Sequence, residues 1–489
     1  MGDASFQGKP PNPRSFPRAS EPFDQALFLR PSSEYRGAPL WTWNKKLDRE
    51  QLLRQIDHLA EMGMGGFTIH VRTGLDTEYL GDEFMEIVKS CVDYAESKKM
   101  LACLYDEDRW PSGYAGGKVM ENRPDLKAQH ILLTCKPYGE QVAWRYIKCS
   151  SLCFIRTKLT ILIISPQGGS ECTGRATRSE LGHLVARYDV AINNDCMEVY
   201  RRLGDGESGR NVWYAYMEPN PPSEWFNGYT YADTLNKEAT DRFIAATHEV
   251  YKVAVGDKFG LTVPSIFTDE PQFAHKTQLR FAEDTWDVFL PWTTDLPDTF
   301  SEQYGYDILD SLPEIVWDLP DGSSSLARYH YHNHVCDRFV EGYLDPVSVW
   351  CRENGLAMTG HMMDEPTLFT QTSALGEAMR CYRGFDLPGV DMLCNWVEYN
   401  TVKQATSVAR QNGIRGIMSE IYGVTSWMFD FLGHKFAGDW QAALGVTPEF
   451  IICLGSLWLA KQNETSQLRL DTNAHGHLSI HWSKTTLQE

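Results

Sequence analysis

The strongest constraint on the fold of this chain is a repeated alternation of short apolar runs with amphipathic helices. Pro39-Leu40-Trp41-Thr42-Trp43-Asn44 reads as a strand. Asp48 then stands as an N-cap with Gln51 three residues on, and Leu52, Ile56 and Leu59 recur at helical spacing until Gly63 stops the helix. In the next run, Phe67-Thr68-Ile69-His70-Val71-Arg72, alternation sets Phe67, Ile69 and Val71 on one face and Thr68, His70 and Arg72 on the other. A helix over 82–97 (Phe84, Ile87, Cys91, Tyr94) leads to Leu101-Ala102-Cys103-Leu104-Tyr105-Asp106. Repeated strand–helix units predict a parallel α/β architecture, and the expectation is a (β/α)8 TIM-like barrel with a β-rich subdomain inserted after strand three.

The later strands are expected at 264–270, 356–361, 389–393, 416–420 and 450–454. Between the third and fourth lies a stretch far longer than an ordinary strand-to-helix loop. Its alternating runs and turn pairs, such as Asn193-Asn194 and Gly204-Asp205-Gly206, read as β structure. The expected divisions are a flexible lead-in over 1–35, a barrel over 36–129 and 219–458, an inserted subdomain over 130–218 and an irregular tail over 459–489. Within the insert, the apolar, β-branched run at 149–164 lacks the patterning of its neighbours, as though a buried strand pair or a misread segment stood there.

The chain carries 46 Lys and Arg against 65 Asp and Glu, a net charge of −19. That balance disfavours nucleic acid or an anionic membrane as partner and suits a neutral substrate. The 12 cysteines show no paired spacing, so neither a disulfide frame nor a zinc knuckle is expected. The Pro-rich start has no apolar core of a secretory signal, which makes the cytoplasm the default location. No organic cofactor is expected.

Two of the strand-like runs end in carboxylates: Phe267-Thr268-Asp269-Glu270, followed by Pro271, and Gly416-Ile417-Met418-Ser419-Glu420. In strand–helix barrels the catalytic groups sit at such strand ends. Glycoside cleavage needs one protonated carboxyl to donate to the leaving oxygen and one carboxylate to activate water or attack carbon. Glu270 is the candidate acid and Glu420 the candidate base, at a separation of roughly 6.5–9.5 Å if the reaction inverts. The plainer alternatives are that Asp269 only caps the turn before Pro271 and that Glu420 pairs with Arg415. His70, Arg72, Asp106, Asp108, Trp110, His361, Glu365 and Tyr422 are candidates for binding sugar hydroxyls. A core imidazole is the rival for His361, and an ion pair with Arg109 or a solvated loop is the rival for Asp106 and Asp108. Trp43 and Trp427 join Trp110 and Tyr422 as possible stacking surfaces.

Several segments together resemble the glycoside hydrolases related to family 106, the α-L-rhamnosidases. They are Trp41-Thr42-Trp43-Asn44; Met64-Gly65-Gly66 continuing to Thr73-Gly74; Tyr105-Asp106-Glu107-Asp108-Arg109-Trp110-Pro111-Ser112-Gly113; Phe267-Thr268-Asp269-Glu270-Pro271; Thr359-Gly360-His361; and Ser419-Glu420-Ile421-Tyr422-Gly423. The resemblance implies a (β/α)8 barrel and inverting hydrolysis of α-L-rhamnosides or related plant or microbial glycans. It also implies a calcium ion contacting the sugar. Calcium takes oxygen ligands, and Asp269, Glu365 and Glu398, with Glu270, form the pool of candidates. Members of that group continue into β-sandwich domains, so the chain is expected to be a form truncated after the barrel. Two other functions stay open at this point: an inactive or carbohydrate-binding remnant, and a metal-dependent hydrolase on the same scaffold, although no H-x-H follows the first strand and no H-E-x-x-H occurs.

Overall fold

The computed structural model describes residues 23–139, 176–193, 195–393, 396–414, 416–425 and 428–453. The start of the lead-in, the run at 149–164, Arg415, Trp427 and the tail at 459–489 lie outside the described residues. In chain order the strands are β1 (Leu40–Trp43), β2 (Gly66–Val71), β3 (Leu101–Tyr105), β4 (Gln129–Thr134), β5 (His183–Asn193), β6 (Cys196–Arg202) and β7 (Val212–Pro219). They continue with β8 (Ser265–Asp269), β9 (Val288–Trp292), β10 (Ala357–His361), β11 (Leu387–Met392), β12 (Ile417–Ile421) and β13 (Val446–Cys453).

Local chemistry sets the helices between them. The Asp48 carboxylate accepts from the Gln51 amide at 2.9 Å and starts the helix Arg49–Glu61, which buries Leu52, Gln55, Ile56 and Leu59. Gln55 is there for a reason, since its side-chain oxygen accepts from the buried Trp41 indole at 2.7 Å. The helix Asp82–Ser97 buries Phe84, Ile87, Val88 and Cys91 at the spacing of one helical face. No helix among the described residues is long and apolar enough to cross a membrane.

One unit gathers the described parts of Met1–Ala128, Phe226–Phe273 and Asn333–Glu489. Its eight strands form one parallel sheet in the order β1-β2-β3-β8-β10-β11-β12-β13. Leu40, Tyr105, Phe267, Leu387 and Met418, from five of those strands, share one buried cluster, so the sheet curls around a common core. It does not close. A barrel requires the last strand to hydrogen-bond to the first with a consistent stagger, and among the described residues β13 pairs only with β12 and β1 only with β2. The expected (β/α)8 TIM-like barrel is therefore corrected to an open, half-barrel parallel sheet. A register slip between β12 and β13, where Ile417 faces Val446 but Ser419 faces Ile451, breaks the regular stagger at the edge where closure would occur.

The other unit, the described parts of Gln129–Trp225 and Ala274–His332, holds an antiparallel sheet in the order β6-β5-β7-β4-β9. Its core includes Tyr188, Val190, Trp213 and Ala215. The fold-class expectation also missed that its fifth strand, β9, arrives from a later stretch of the chain. Pro291 sits within β9, which a strand at the sheet edge tolerates because one side of it needs no ladder partner.

The parallel sheet draws β8 and β10 together most tightly at Gly360. This residue has φ +133°, and a Cβ placed there would lie 1.8 Å from the Thr268 carbonyl oxygen. Gly360→Ala is expected to destabilise the protein by roughly 3 kcal/mol or more, read as a fall in the denaturant midpoint with an unchanged slope. A loss below about 0.5 kcal/mol, the range of ordinary surface changes, would show that the strands separate easily there.

Candidate active site

Parallel register assembles the site. His361, the last residue of β10, stands beside Asp269, the last residue of β8, and Asp391 on β11 stands beside Glu420 on β12. Neighbouring strands lie about 4.8 Å apart, so four chemically active side chains meet at one end of the sheet. Consecutive strand residues normally point to opposite faces, which would send Glu270 away from Asp269. Glu270 instead adopts φ +46° just past the strand end, with its N–H donating to the His361 carbonyl at 3.2 Å. That left-handed turn, costly for a residue with a side chain, brings Glu270 to the same cluster.

His361 is its centre and is 1% exposed. Its Nε2 lies 2.8 Å from a Glu420 carboxylate oxygen and 3.6 Å from Asp269. A ring nitrogen of His361 and one oxygen each from Glu270 and Asp391 fall within 4.8 Å of one another, as do single atoms of Asp269, His361 and Glu420. Asp269 does not cap the turn; its carboxylate accepts from the Tyr105 hydroxyl at 2.6 Å. The His70 ring packs edge-on against Tyr105 at 4.2 Å, with both ring nitrogens buried and unpartnered.

Burial and like charge move these groups together. Burial would lower the His361 pKa, but the Glu420 hydrogen bond and the charges of Asp391 and Asp269 hold it well above its ordinary value. Burial first, and then the Asp269 charge, pushes Glu270 well above the carboxylate range. Burial and Glu420 do the same to Asp391, while Asp269, offset by His361, rises to about 6. The arrangement can keep one carboxyl protonated while another stays ionised against an imidazolium.

Glu270 and Asp391 also line a pocket of about 280 Å³, together with Glu365, Glu398, Met362, Met392 and Trp396. Drug-sized ligands occupy about 300–1,000 Å³, so this pocket is on the scale of a single small ring. Glu365 is buried and accepts from the Met362 amide at 3.0 Å and from the Tyr382 hydroxyl, and burial raises its pKa to about 8. Glu398 is half-buried at the start of the helix Tyr399–Gln411 and accepts from Thr401 at 3.2 Å. Neither residue falls in the two close groups of possible metal ligands, whereas Asp269 does. Trp396, 59% exposed, is the aromatic surface of this pocket. Asp391 and Trp396 had not been singled out from the sequence. Asp391 lies inside an apolar run that continues through Met392 and Leu393, so no strand-end carboxylate marks it in the sequence.

The other expected residues divide. Arg72, half-buried, helps lower the pKa of Asp269. Asp106 is fully buried, with one oxygen accepting from Ser112 at 2.5 Å and the other without a partner. Ser112 in turn accepts from the Asp269 amide at 2.8 Å, tying this loop to β8. Asp108 is not in the cluster; it is held by the Tyr114 hydroxyl, by Asn227 at 2.8 Å and by Arg109 at 2.9 Å. Glu107, passed over in the sequence, is the keystone of its loop. Its carboxylate accepts backbone N–H groups from Asp108, Gly113, Tyr114, Ala115 and Gly116 at 2.7–3.1 Å. Trp43 is core, edge-on to Trp41 and Phe84. Trp110 and Tyr422 are half-buried and outside the pocket wall, and the Tyr422 ring lies 4.8 Å from that of His434.

A solved rhamnosidase from Novosphingobium sp. PP1Y shares this fold, with a TM-score of 0.53 and 12% sequence identity. The match covers 88% of this chain and 56% of the rhamnosidase, so this chain spans a little over half of that protein's length. No family model matches the chain, and no curated protein sequence matches it. At that identity the likeness concerns the fold; the site must be argued from its own residues.

Asp106 carries a measurable cost. Burial raises its pKa from 3.8 to about 8, against the Ser112 hydrogen bond that favours the anion. Between those values the folded chain holds a proton that the unfolded chain has lost, so this group's contribution to stability falls as pH rises from about 4 to about 8. Asp106→Asn removes the charge and keeps the shape. It is expected to stabilise the protein by the order of a few kcal/mol at pH 8 and by much less at pH 5, read from urea midpoints at the two pH values. Equal effects at both, or a loss at pH 8, would contradict a proton on Asp106.

Proposed function

We propose that the chain is a glycosidase in which Glu270 is the general acid and Glu420 the general base. The observation that carries this reading is the His361 ring beside both, hydrogen-bonded to Glu420 at 2.8 Å and within 4.8 Å of an oxygen of Glu270, which lines a pocket for one ring. Glu270, raised in pKa beside Asp269 and Asp391, keeps its proton for the leaving oxygen. His361 hydrogen-bonds to one Glu420 oxygen. The second Glu420 oxygen, which makes no hydrogen bond among the described residues, takes the proton of the attacking water. Direct attack by that water in a single step inverts the anomeric carbon.

The substrate class proposed is an α-L-rhamnoside or a related glycan. Its support is the joint presence of the strand-end residues that resemble family 106 and a fold shared with a solved rhamnosidase. Trp396 offers a flat apolar surface at the pocket wall, and the carboxylates accept from sugar hydroxyls.

A cation at the same place is a secondary element of the proposal. The buried Asp391 oxygen without a partner, and the carboxylates of Glu365 and Glu398 in the same pocket, suit a hard ion such as calcium. When bound, such an ion would neutralise these carboxylates and orient sugar hydroxyls. The closer groups contain His361 and are less suited to calcium, which prefers oxygen donors. A metal-dependent hydrolase draws its only support from those groups, and an inactive or carbohydrate-binding remnant would need no acid–base pair.

Release of nitrophenol from a panel of aryl glycosides that includes the α-L-rhamnoside tests the reading. Turnover is expected in the wild type and a fall of roughly 10²–10⁴-fold in both Glu270→Gln and Glu420→Gln, with circular dichroism checking that each variant is folded at the assay temperature. Undiminished turnover in either variant would remove that residue from its role, and no turnover by the wild type on any substrate would reject the glycosidase reading.

A further inference from the structure

Beyond the acid pocket, the same face of the parallel unit holds a second one. Pro366 lines both pockets, and the Glu365–Pro366 backbone is the ridge between them. The second pocket, about 510 Å³, lies between the helices Leu368–Ala374 and Tyr399–Gln411. Its wall with the first is held in place. The Gln371 side-chain amide donates to the Glu365 carbonyl at 2.6 Å and to the Gln404 oxygen at 2.8 Å. Gln404 donates to the same carbonyl at 3.2 Å, and Thr370 donates to the Asp364 carbonyl at 2.8 Å.

The chemistry changes across the ridge. The first pocket is lined by Glu270, Asp364, Glu365, Asp391 and Glu398; the second is lined by no acid, in a chain of net charge −19. Asn400, Lys403 and Ser407 follow one another along one helix face and make no side-chain hydrogen bond or ion pair among the described residues. Facing them is Leu368, 74% exposed. A groove with a row of neutral and cationic donors on one side and an apolar wall on the other matches a sugar ring, which has hydroxyl edges and an apolar face.

We infer that the second pocket is the subsite for the leaving saccharide, so that the substrate is an oligosaccharide whose scissile bond crosses the Glu365–Pro366 ridge. This rests on the glycosidase reading and extends it. The terminal sugar occupies the carboxylate pocket, and the next residue lies along Asn400, Lys403 and Ser407. These side chains select a saccharide over a small aryl leaving group.

The test compares kcat/KM for di- and trisaccharides with a rhamnosyl non-reducing end against kcat/KM for the aryl rhamnoside, in the full chain. Ser407→Trp, which fills the pocket from a partly exposed helix position, is expected to lower the saccharide-to-aryl ratio at least tenfold, mostly through KM. Lys403→Met is expected to lower it less. Thermal unfolding of each variant checks that the helix is intact. An unchanged ratio, or an equal fall for both substrates, overturns the subsite. Should the wild type cleave nothing, the glycosidase reading fails and the pocket is judged by calorimetry with the same trisaccharide. Binding at least tenfold weaker in Ser407→Trp supports it, and equal binding or none overturns it.

Discussion

A buried imidazole among carboxylates is costly to desolvate unless every charge has a partner close by. The position of His361, 1% exposed, between Asp269 and Glu420 is therefore the constraint on which the site depends. Parallel register provides it: β8 and β10 set Asp269 beside His361, and β11 and β12 set Asp391 beside Glu420. Any slip of one residue would turn half of these groups to the other face. The close approach at Gly360, directly before His361, fixes that register where the charges need it. Tyr105 completes the arrangement from β3 by donating to Asp269.

A second device supports the first. The loop after β3 would expose a row of unpaired amides, each costing about 1–3 kcal/mol when buried without a partner. Glu107 gathers five of them on one carboxylate, and Asp108 closes the loop from the other side through Tyr114, Asn227 and Arg109. This frees Ser112 to bridge Asp106 and the Asp269 amide. The loop's most polar residues thus hold the backbone that supports the reactive ones.

Much of this was legible in the chain. Asp48 with Gln51 and the spacing of Phe84, Ile87 and Cys91 place the first helices, because capping and amphipathicity are local properties. The strand ends at Glu270 and Glu420 stood out because a carboxylate terminates an apolar run. Asp391 did not, since Met392 and Leu393 continue the apolar run past it. Glu107 and Asp108 were harder still: which of three consecutive acids faces a cavity depends on backbone amides that composition does not reveal. Closure of the sheet was beyond reach for a related reason. Strand–helix alternation fixes parallel neighbours, but the pairing of the first strand with the last depends on stagger, and the slip between β12 and β13 left no mark in the pattern.

In the mechanism proposed, Glu270 and Glu420, with His361 beside both, hydrolyse a glycoside with inversion. The most direct measurement is proton NMR of the first sugar released from an α-L-rhamnoside, taken before mutarotation. Inversion makes the β anomer appear first, with the α anomer growing in later. The α anomer appearing first would show retention through a covalent intermediate, and would contradict the water-activating role given to Glu420.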